Sequence, residues 1–171
     1  SSRTLYVAEP FRSIRGDQVG TVARMVPDAA GRFAGLVLAT LDPEYFTGQF
    51  RTVMYAPDVW AVVVHGGGRQ LLNYPPKGKI DGTNLARPGT FYQRHRISGR
   101  VAGVLEGRVY TTGEERVMAM ATIAPPALAM DYPLVIGLSR DAAAVAAPLR
   151  RQAMTLTALF AVLVIGACGA L

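Results

Sequence analysis

The chain has 171 residues and a formal net charge of +6; half of its residues are hydrophobic and 18% are charged. This composition excludes a largely disordered chain, which would contain fewer apolar residues and more charge. The length suits one modest domain, or a domain with a short additional segment. Because Cys168 is the only cysteine, an intrachain disulfide and a cysteine-based zinc site are also excluded.

The positive charge is concentrated in one part of the sequence. Between Arg69 and Arg100 there are seven Lys or Arg residues and one acidic residue, Asp81, whereas the rest of the chain carries eleven residues of each sign. The excess is therefore one local patch rather than a basic character spread along the chain. We expect no nucleic-acid partner.

The first predicted elements are two strands, Gly20–Val26 and Phe33–Thr40. Both are rich in apolar and β-branched residues, and the turn-forming segment Pro27–Arg32 separates them. A helix is predicted over Asp42–Phe50, because aspartate suits the N-cap, proline the first helical position and glutamate the first turn.

A β-hairpin is predicted next, from Val59–Val64 through Gly66–Gly68 to Arg69–Tyr74, since glycine accepts the positive φ of tight strand reversals. A phosphate cradle is the alternative for these glycines, but no helix start follows them. Trp60 is expected to pack on the core face of this hairpin. Two later strands are predicted at Arg116–Ile123 and Pro133–Leu138.

The end of the chain, Ala153–Leu171, contains no charged residue. As a helix it would extend for ~28 Å, close to the ~30 Å hydrocarbon core of a bilayer. We interpret it as a transmembrane helix; a buried helix of a soluble domain is the alternative. A helix capped by Ser139, with Pro148 at its kink or end, is predicted to lead into it over residues 141–152. With this single span, the chain would be a tail-anchored protein or part of a longer one.

Three stretches of sequence carry a family resemblance. They are VARMVPDAAGRFAGLVLATLDPEYF (Val22–Phe46), VWAVVVHGGGRQLLNYPP (Val59–Pro76) and DYPLVIGLSRD (Asp131–Asp141). In this order, followed by a helix and an apolar run, they resemble the double Cache (PDC, PAS-like) extracytoplasmic sensor domains of bacteria. The resemblance covers roughly residues 5–151, and none of its motifs is catalytic.

The resemblance implies an α+β fold, a PAS-like antiparallel sheet flanked by helices. Residues 1–50 would be the last strands of an incomplete membrane-distal module and residues 58–140 a membrane-proximal module of about five strands. Residues 141–152 would be a juxtamembrane helix and residues 153–171 the transmembrane helix. The chain would be the ligand-sensing region of an inner-membrane signalling protein, with residues 1–152 extracytoplasmic. A diguanylate cyclase or histidine kinase would be its output domain, and the full-length protein would be a homodimer.

The ligand-binding candidates come from the basic patch and its aromatic neighbours. In Cache modules the segment after the first hairpin covers the pocket over the sheet, so the resemblance places the run NLARPGTFYQRHR, residues 84–96, near a ligand. Arginine binds carboxylates through two hydrogen bonds, and aromatic rings supply an apolar wall, so a small anion is predicted. Anionic lipid headgroups and plain solvation of a loop are the alternatives. The candidates are Arg94, Arg96, Arg87, Tyr74, Tyr92 and His95.

The sequence contains no G-x-S-x-G, P-loop, H-E-x-x-H or dinucleotide motif, and no catalysis or cofactor is expected within these residues. The two histidines, His65 and His95, lie 30 positions apart, and a metal site between them is a minor alternative. Two other functions stay open. The chain could be a ligand-free structural or dimerisation module, or a membrane-tethered enzyme whose site lacks a known motif.

Overall fold

The computed structural model describes residues 4–12, 18–76 and 82–169; the side chains of 12, 18, 19, 43 and 162–169 are outside this description. Twelve elements occur in these residues. The first group is β1 (Leu5–Val7), β2 (Phe11–Arg12), β3 (Gln18–Pro27), β4 (Phe33–Leu41) and α1 (Pro43–Val53). The second group is β5 (Trp60–His65), β6 (Gln70–Tyr74), α2 (Phe91–Ser98), β7 (Ala102–Arg108), β8 (Glu115–Ile123), β9 (Leu134–Asp141) and α3 (Ala142–Gly169).

The first sheet is built around β3, which pairs antiparallel with β1, β2 and β4. The predicted turn between β3 and β4 is confirmed. Asp28 Oδ1 accepts the backbone N–H groups of Ala30 at 2.9 Å and Arg32 at 2.8 Å, a local pattern typical of aspartate in turns. The predicted helix start is also confirmed, because the Asp42 side chain accepts the Glu44 backbone N–H.

The second sheet has five antiparallel strands in the order β6-β5-β9-β8-β7. It confirms the prediction of one five-stranded sheet within residues 58–140. The glycines after β5 form the predicted hairpin turn, in which Gly68 adopts φ +91° and its N–H donates to the His65 carbonyl at 2.7 Å. A Cβ on Gly68 would lie 2.5 Å from the Ala86 Cβ, so the turn also needs glycine for space.

Two elements between β6 and β8 differ from the sequence interpretation. Residues 91–98, interpreted as part of a loop, form the helix α2, whose N-cap Thr90 accepts the Gln93 backbone N–H at 3.1 Å. Residues 102–108, for which no strand was predicted, form β7, and all seven pair with β8. The assignment of residues 1–50 and 58–140 to two Cache modules stays an interpretation.

The two sheets are joined through β1. Leu5 exchanges backbone hydrogen bonds with the segment before β9, donating to Ala129 at 2.7 Å and accepting from Asp131 at 3.1 Å. Val7, which is buried, donates its N–H to Asp131 Oδ1 at 2.8 Å, and its carbonyl is 2.9 Å from His65 Nε2. Because His65 Nδ1 accepts the Gly67 N–H, Nε2 is the nitrogen that donates to Val7.

Helix α3 follows β9 directly. Its first turn is capped by Asp141, whose Oδ1 accepts the Ala144 N–H at 2.9 Å; Ser139, predicted as the cap, lies instead inside β9 and is buried. The helix continues through Pro148. Within the described residues, no helix has an apolar stretch long enough to cross a membrane. The transmembrane helix predicted for residues 153–171 stays a prediction, and its last residues lie outside the description.

Candidate ligand-binding cavity

One face of the second sheet forms the floor of a cavity. Side chains alternate between the two faces of a strand, so Trp60, Val62 and Val64 of β5 share this face. Met118 and Met120 of β8 point the same way and belong to the hydrophobic core with Val64. Val62 pairs with Gly137 in β9, where a Cβ would lie 2.9 Å from Val62 Cγ1. Glycine at this position therefore lets the floor side chains approach β9.

Helix α2 and the loop before it cover the floor. Phe91 and Tyr92 are buried, and the Tyr92 hydroxyl donates to the Gly66 carbonyl at 2.6 Å, which ties the helix to the β5–β6 turn. Thr90 Oγ1 lies 2.6 Å from the Leu85 carbonyl and 2.9 Å from the Arg87 carbonyl. The cover is therefore fixed to the sheet and to itself by hydrogen bonds.

The cavity between floor and cover has a volume of about 90 Å³. Its wall contains a cluster of aromatic rings, and none of the described side chains that line it is charged. The aromatic lining residues are Trp60, Tyr74, Phe91, Tyr92 and Tyr110. The polar ones are Gln70, Asn73, Thr90, Thr111, Thr112 and Ser139. This combination of an apolar wall and a few polar groups is typical of small-molecule sites.

Gln70 is one of three buried polar residues in this wall, with Thr90 and Ser139. It is 3% exposed and lies at the start of β6, where its backbone exchanges two hydrogen bonds of 3.0 Å with Thr83 and Gly82. Its side-chain nitrogen Nε2 is buried and has no hydrogen-bond partner in the described chain. A buried amide without a partner is unusual in a folded protein.

A buried arginine lies behind two lining residues, Trp60 and Ser139. Arg116 is 2% exposed, and its guanidinium lies 3.6 Å from the centre of the Trp60 ring. Its Nε donates to Ser139 Oγ at 3.0 Å and Nη1 to Glu114 Oε2 at 3.1 Å, while Nη2 donates to the carbonyls of Ser139 and Asp58. The charge is thus compensated within the protein.

Asp58 continues this network to the start of α3. Its Oδ2 accepts from Arg140 Nε at 2.7 Å and from the Asp141 N–H at 3.1 Å. The hydrogen bond from Arg140 lowers the pKa of the Asp58 carboxyl below its ordinary value, and the same bond raises the pKa of the Arg140 guanidinium. Since Ser139, Arg140 and Asp141 are consecutive, the cavity wall and the first turn of α3 share one stretch of chain.

Two of the six residues predicted to bind a ligand line this cavity. They are Tyr74, which is half-buried, and Tyr92. Arg94 is exposed and donates to the Glu106 carbonyl at 2.8 Å, and Arg87 donates to the Tyr110 hydroxyl at 2.7 Å. Neither arginine lines the cavity.

The other two predicted residues, His95 and Arg96, do not line this cavity. Arg96 is exposed, and His95 is buried with Nε2 2.9 Å from Thr122 Oγ1. Together with Arg100 they border a second depression, which shares Tyr92 with the cavity. No group of three or more His, Cys, Asp or Glu side chains suited to a metal ion occurs in the described part of the chain.

Three residues of the site were not predicted in their present roles. Gln70 and Arg116 gave no signal, because their burial results from packing between strands distant in sequence. Trp60, predicted to pack on the core face of the hairpin, lies on that face but is half-buried and lines the cavity. The family resemblance placed residues 84–96 over the sheet, and Phe91 and Tyr92 of this run line the cavity.

No protein-family model and no curated protein sequence matches this chain. Solved structures do match it. The extracellular domain of rpHK1S-Z16, assigned as a histidine kinase, aligns with a TM-score of 0.66 and 23% identity over 84% of this chain and 56% of that one. The periplasmic sensory domain of the Campylobacter jejuni chemoreceptor Tlp1 aligns with a TM-score of 0.62 and 16% identity, over 81% of this chain and 50% of that one.

The chain has the fold of a periplasmic sensory domain. A third structure with this fold is the ligand-binding domain of the Pseudomonas aeruginosa amino acid chemoreceptor PctB, solved with L-arginine, at a TM-score of 0.57 and 17% identity over 83% of this chain and 56% of that one. The Cache-like fold expected from the sequence resemblance is thereby confirmed. The chain spans about half the length of these sensory-domain structures.

Proposed function

We propose that this chain is the extracytoplasmic sensing region of a bacterial membrane signalling protein, and that the cavity under α2 binds its small-molecule signal. The observation that carries the proposal is the aromatic-lined cavity of about 90 Å³ within a fold shared with periplasmic sensory domains. An enclosed wall of this kind removes a ligand's apolar surface from water, which favours binding.

The route from the cavity to the end of the chain follows from connectivity. Ser139 lines the cavity and accepts a hydrogen bond from Arg116. Arg140 and Asp141, which immediately precede α3, both donate hydrogen bonds to Asp58. A ligand that moves Trp60 or Ser139 would therefore shift the network that holds the first turn of α3. Ligand binding acts on signalling only through such a difference between two states.

The remaining parts of the proposal concern the whole protein. Residues 153–171 would form the membrane helix, in contact with lipid, and residues 1–152 would lie outside the cytoplasm. The full-length protein would act as a homodimer, and a histidine kinase or diguanylate cyclase would be its output domain. No catalysis or cofactor is proposed for the chain itself, and nucleic acid is not proposed as a partner.

A ligand screen on the full chain in mild detergent tests the sensing role. Thermal unfolding is measured with amino acids, carboxylates, phosphates and uncharged aromatic compounds. A ligand present at 100 times its Kd stabilises the folded state by about 2.7 kcal/mol, which raises Tm by several degrees. The anions in the panel also test the ligand predicted from Arg94 and Arg96.

Two variants assign the effect to the cavity. Thr111 is exposed and lines the cavity mouth, so Thr111→Phe should block entry without disturbing the core. Ala127→Phe, on the exposed loop before β9, is the matched control. We expect the ligand-dependent rise in Tm to be lost in Thr111→Phe and kept in Ala127→Phe. If no compound stabilises the chain, the ligand-free structural module is the better interpretation.

A further inference from the structure

We infer that the cavity binds an uncharged ligand that carries a hydrogen-bond acceptor, such as a carbonyl oxygen, and that Gln70 Nε2 donates a hydrogen bond to this acceptor. This inference rests on the proposed function, because it names the chemical class of the ligand at that site. It differs from the anionic ligand that the basic patch predicts. Three observations carry it: a buried donor without a partner, a wall without charge, and a cluster of aromatic rings.

The unpartnered donor is the first observation. Gln70 is a lining residue of the cavity, and its buried Nε2 finds no acceptor in the described residues, although the residue is 97% removed from solvent. Burying an amide N–H without an acceptor opposes folding, so such groups are normally paired. A small rotation of the Gln70 amide towards the cavity would let a ligand oxygen satisfy the donor, and this gain is specific to an acceptor.

The absence of charge in the wall is the second observation. The nearest arginines are already engaged: Arg87 with the Tyr110 hydroxyl, Arg94 with the Glu106 carbonyl, and Arg116 with Glu114 and two backbone carbonyls. A carboxylate or ammonium group inside would lose its hydration and meet no described lining side chain of opposite charge. The site therefore discriminates against charged ligands.

The shape of the wall is the third observation. Five aromatic rings surround the space, and aromatic faces pack best against flat apolar groups. The volume of about 90 Å³ is smaller than the roughly 150 Å³ of an apolar cavity that holds benzene. The ligand is thus compact, about one small ring with its acceptor, and part of it extends into the mouth beside Thr111.

Trp60 provides a direct measurement, because it is the only tryptophan of the chain and lines the cavity. The full chain in mild detergent is titrated with benzamide, benzoate and toluene, which share a ring but differ in acceptor and charge. Trp60 emission excited at 295 nm is the readout, with N-acetyltryptophanamide in the same detergent as the blank. We expect benzamide to bind at least tenfold more tightly than benzoate or toluene.

Substitution of Gln70 separates the acceptor from the ring. Gln70→Met keeps the length of the side chain and removes the amide, so benzamide affinity should fall at least tenfold while toluene affinity is unchanged or higher. Gln93→Met, on α2 but outside the cavity lining, is the control and should bind benzamide like the wild type. Should Gln70→Met fail to fold, Gln70→Leu replaces it, since a leucine side chain likewise cannot donate to the probe.

The outcomes distinguish this inference from the proposed function. Benzoate binding as tightly as benzamide, or benzamide affinity that is indifferent to Gln70→Met, overturns the uncharged ligand class. If a charged compound from the wider screen then stabilises the chain and Thr111→Phe abolishes the effect, the sensing role stands without this inference. Failure of every probe and every panel compound overturns both.

Discussion

Arg116 carries a full charge at 2% exposure beneath the Trp60 ring, and its environment explains how this is tolerated. The planar guanidinium stacks on the indole while its N–H groups reach acceptors around its edge, including Ser139 and Glu114. Arginine suits this geometry better than lysine, whose ammonium is a compact, strongly hydrated point charge. The residue therefore supports Trp60 and Ser139, two of the residues that line the cavity.

We expect Arg116→Lys to destabilise the fold by about 2–3 kcal/mol, because at least one buried hydrogen bond to a charged group is lost. Denaturant unfolding monitored by Trp60 fluorescence measures the change. Arg108→Lys is the matched control: Arg108 is exposed and pairs with Glu115 at 3.1 Å, so its loss should change stability by less than about 1 kcal/mol. Equal effects of the two variants would contradict a structural role for the buried stack.

At the scale of elements, the sequence predicted the strands whose pattern of apolar and turn-forming residues is strong. β3, β4, β5 and β8 are runs of apolar and β-branched residues bounded by turn residues, and all were located within a few positions. Helix α2 was missed because FYQRHRIS is short and has no clear apolar stripe, so its packing on the sheet decides its structure. β7 was missed because AGVLEGR contains two glycines, which weaken the strand pattern.

The candidate site was predictable only in part, for a related reason. Tyr74 and Tyr92, two of the predicted ligand-binding residues, line the cavity, as expected of aromatic rings that form an apolar wall. The resemblance placed Arg94 and Arg96 of α2 near the ligand. In the helix, however, Arg94 bonds the Glu106 carbonyl of β7 and Arg96 borders the second depression. Whether a ligand contacts them stays a prediction.

The junction between β9 and α3 depends on the ionised form of Asp58. The hydrogen bond from Arg140 lowers the pKa of Asp58 in the folded protein, so its folded pKa is below its unfolded value of about 4. The charged pair therefore stabilises the fold above about pH 4, and this stabilisation is lost as the pH falls through the folded pKa.

We expect Asp58→Asn to weaken this pH dependence. The wild-type free energy of unfolding should fall as the pH is lowered below about 4, and the fall should be smaller in the variant, which is already less stable at pH 7. Asp28→Asn is the comparison, since the pKa of Asp28 is also lowered, by Arg32, in a turn distant in sequence from α3. Asp28→Asn should also reduce the dependence of the unfolding free energy on pH, but it should leave Trp60 emission unchanged. An unchanged slope in Asp58→Asn would remove this pair from the acid response.

At the scale of the whole molecule, the two sheets form one folded unit because β1 bonds both of them. Leu5, Tyr6 and Val7 pair with β3 of the first sheet, while the backbone of Leu5 and Val7 also bonds the segment before β9. The ring of Tyr132 in that segment lies 4.8 Å from the ring of His65. The segment before β9 and the first sheet are thus connected directly by hydrogen bonds.

We expect Asp131→Ala to loosen this connection. The substitution removes the acceptor of the Val7 N–H, and because Val7 is 3% exposed, its N–H cannot easily reach water instead. An unsatisfied buried N–H destabilises the fold by about 1–3 kcal/mol. Amide hydrogen exchange should therefore accelerate at Val7, and also at Leu5 and His65, which contact the same segment. Glu9→Ala is the control, because its contact with Arg69 at 3.8 Å is exposed. Faster exchange confined to Val7 would show that Asp131 serves one hydrogen bond and does not hold the two sheets together.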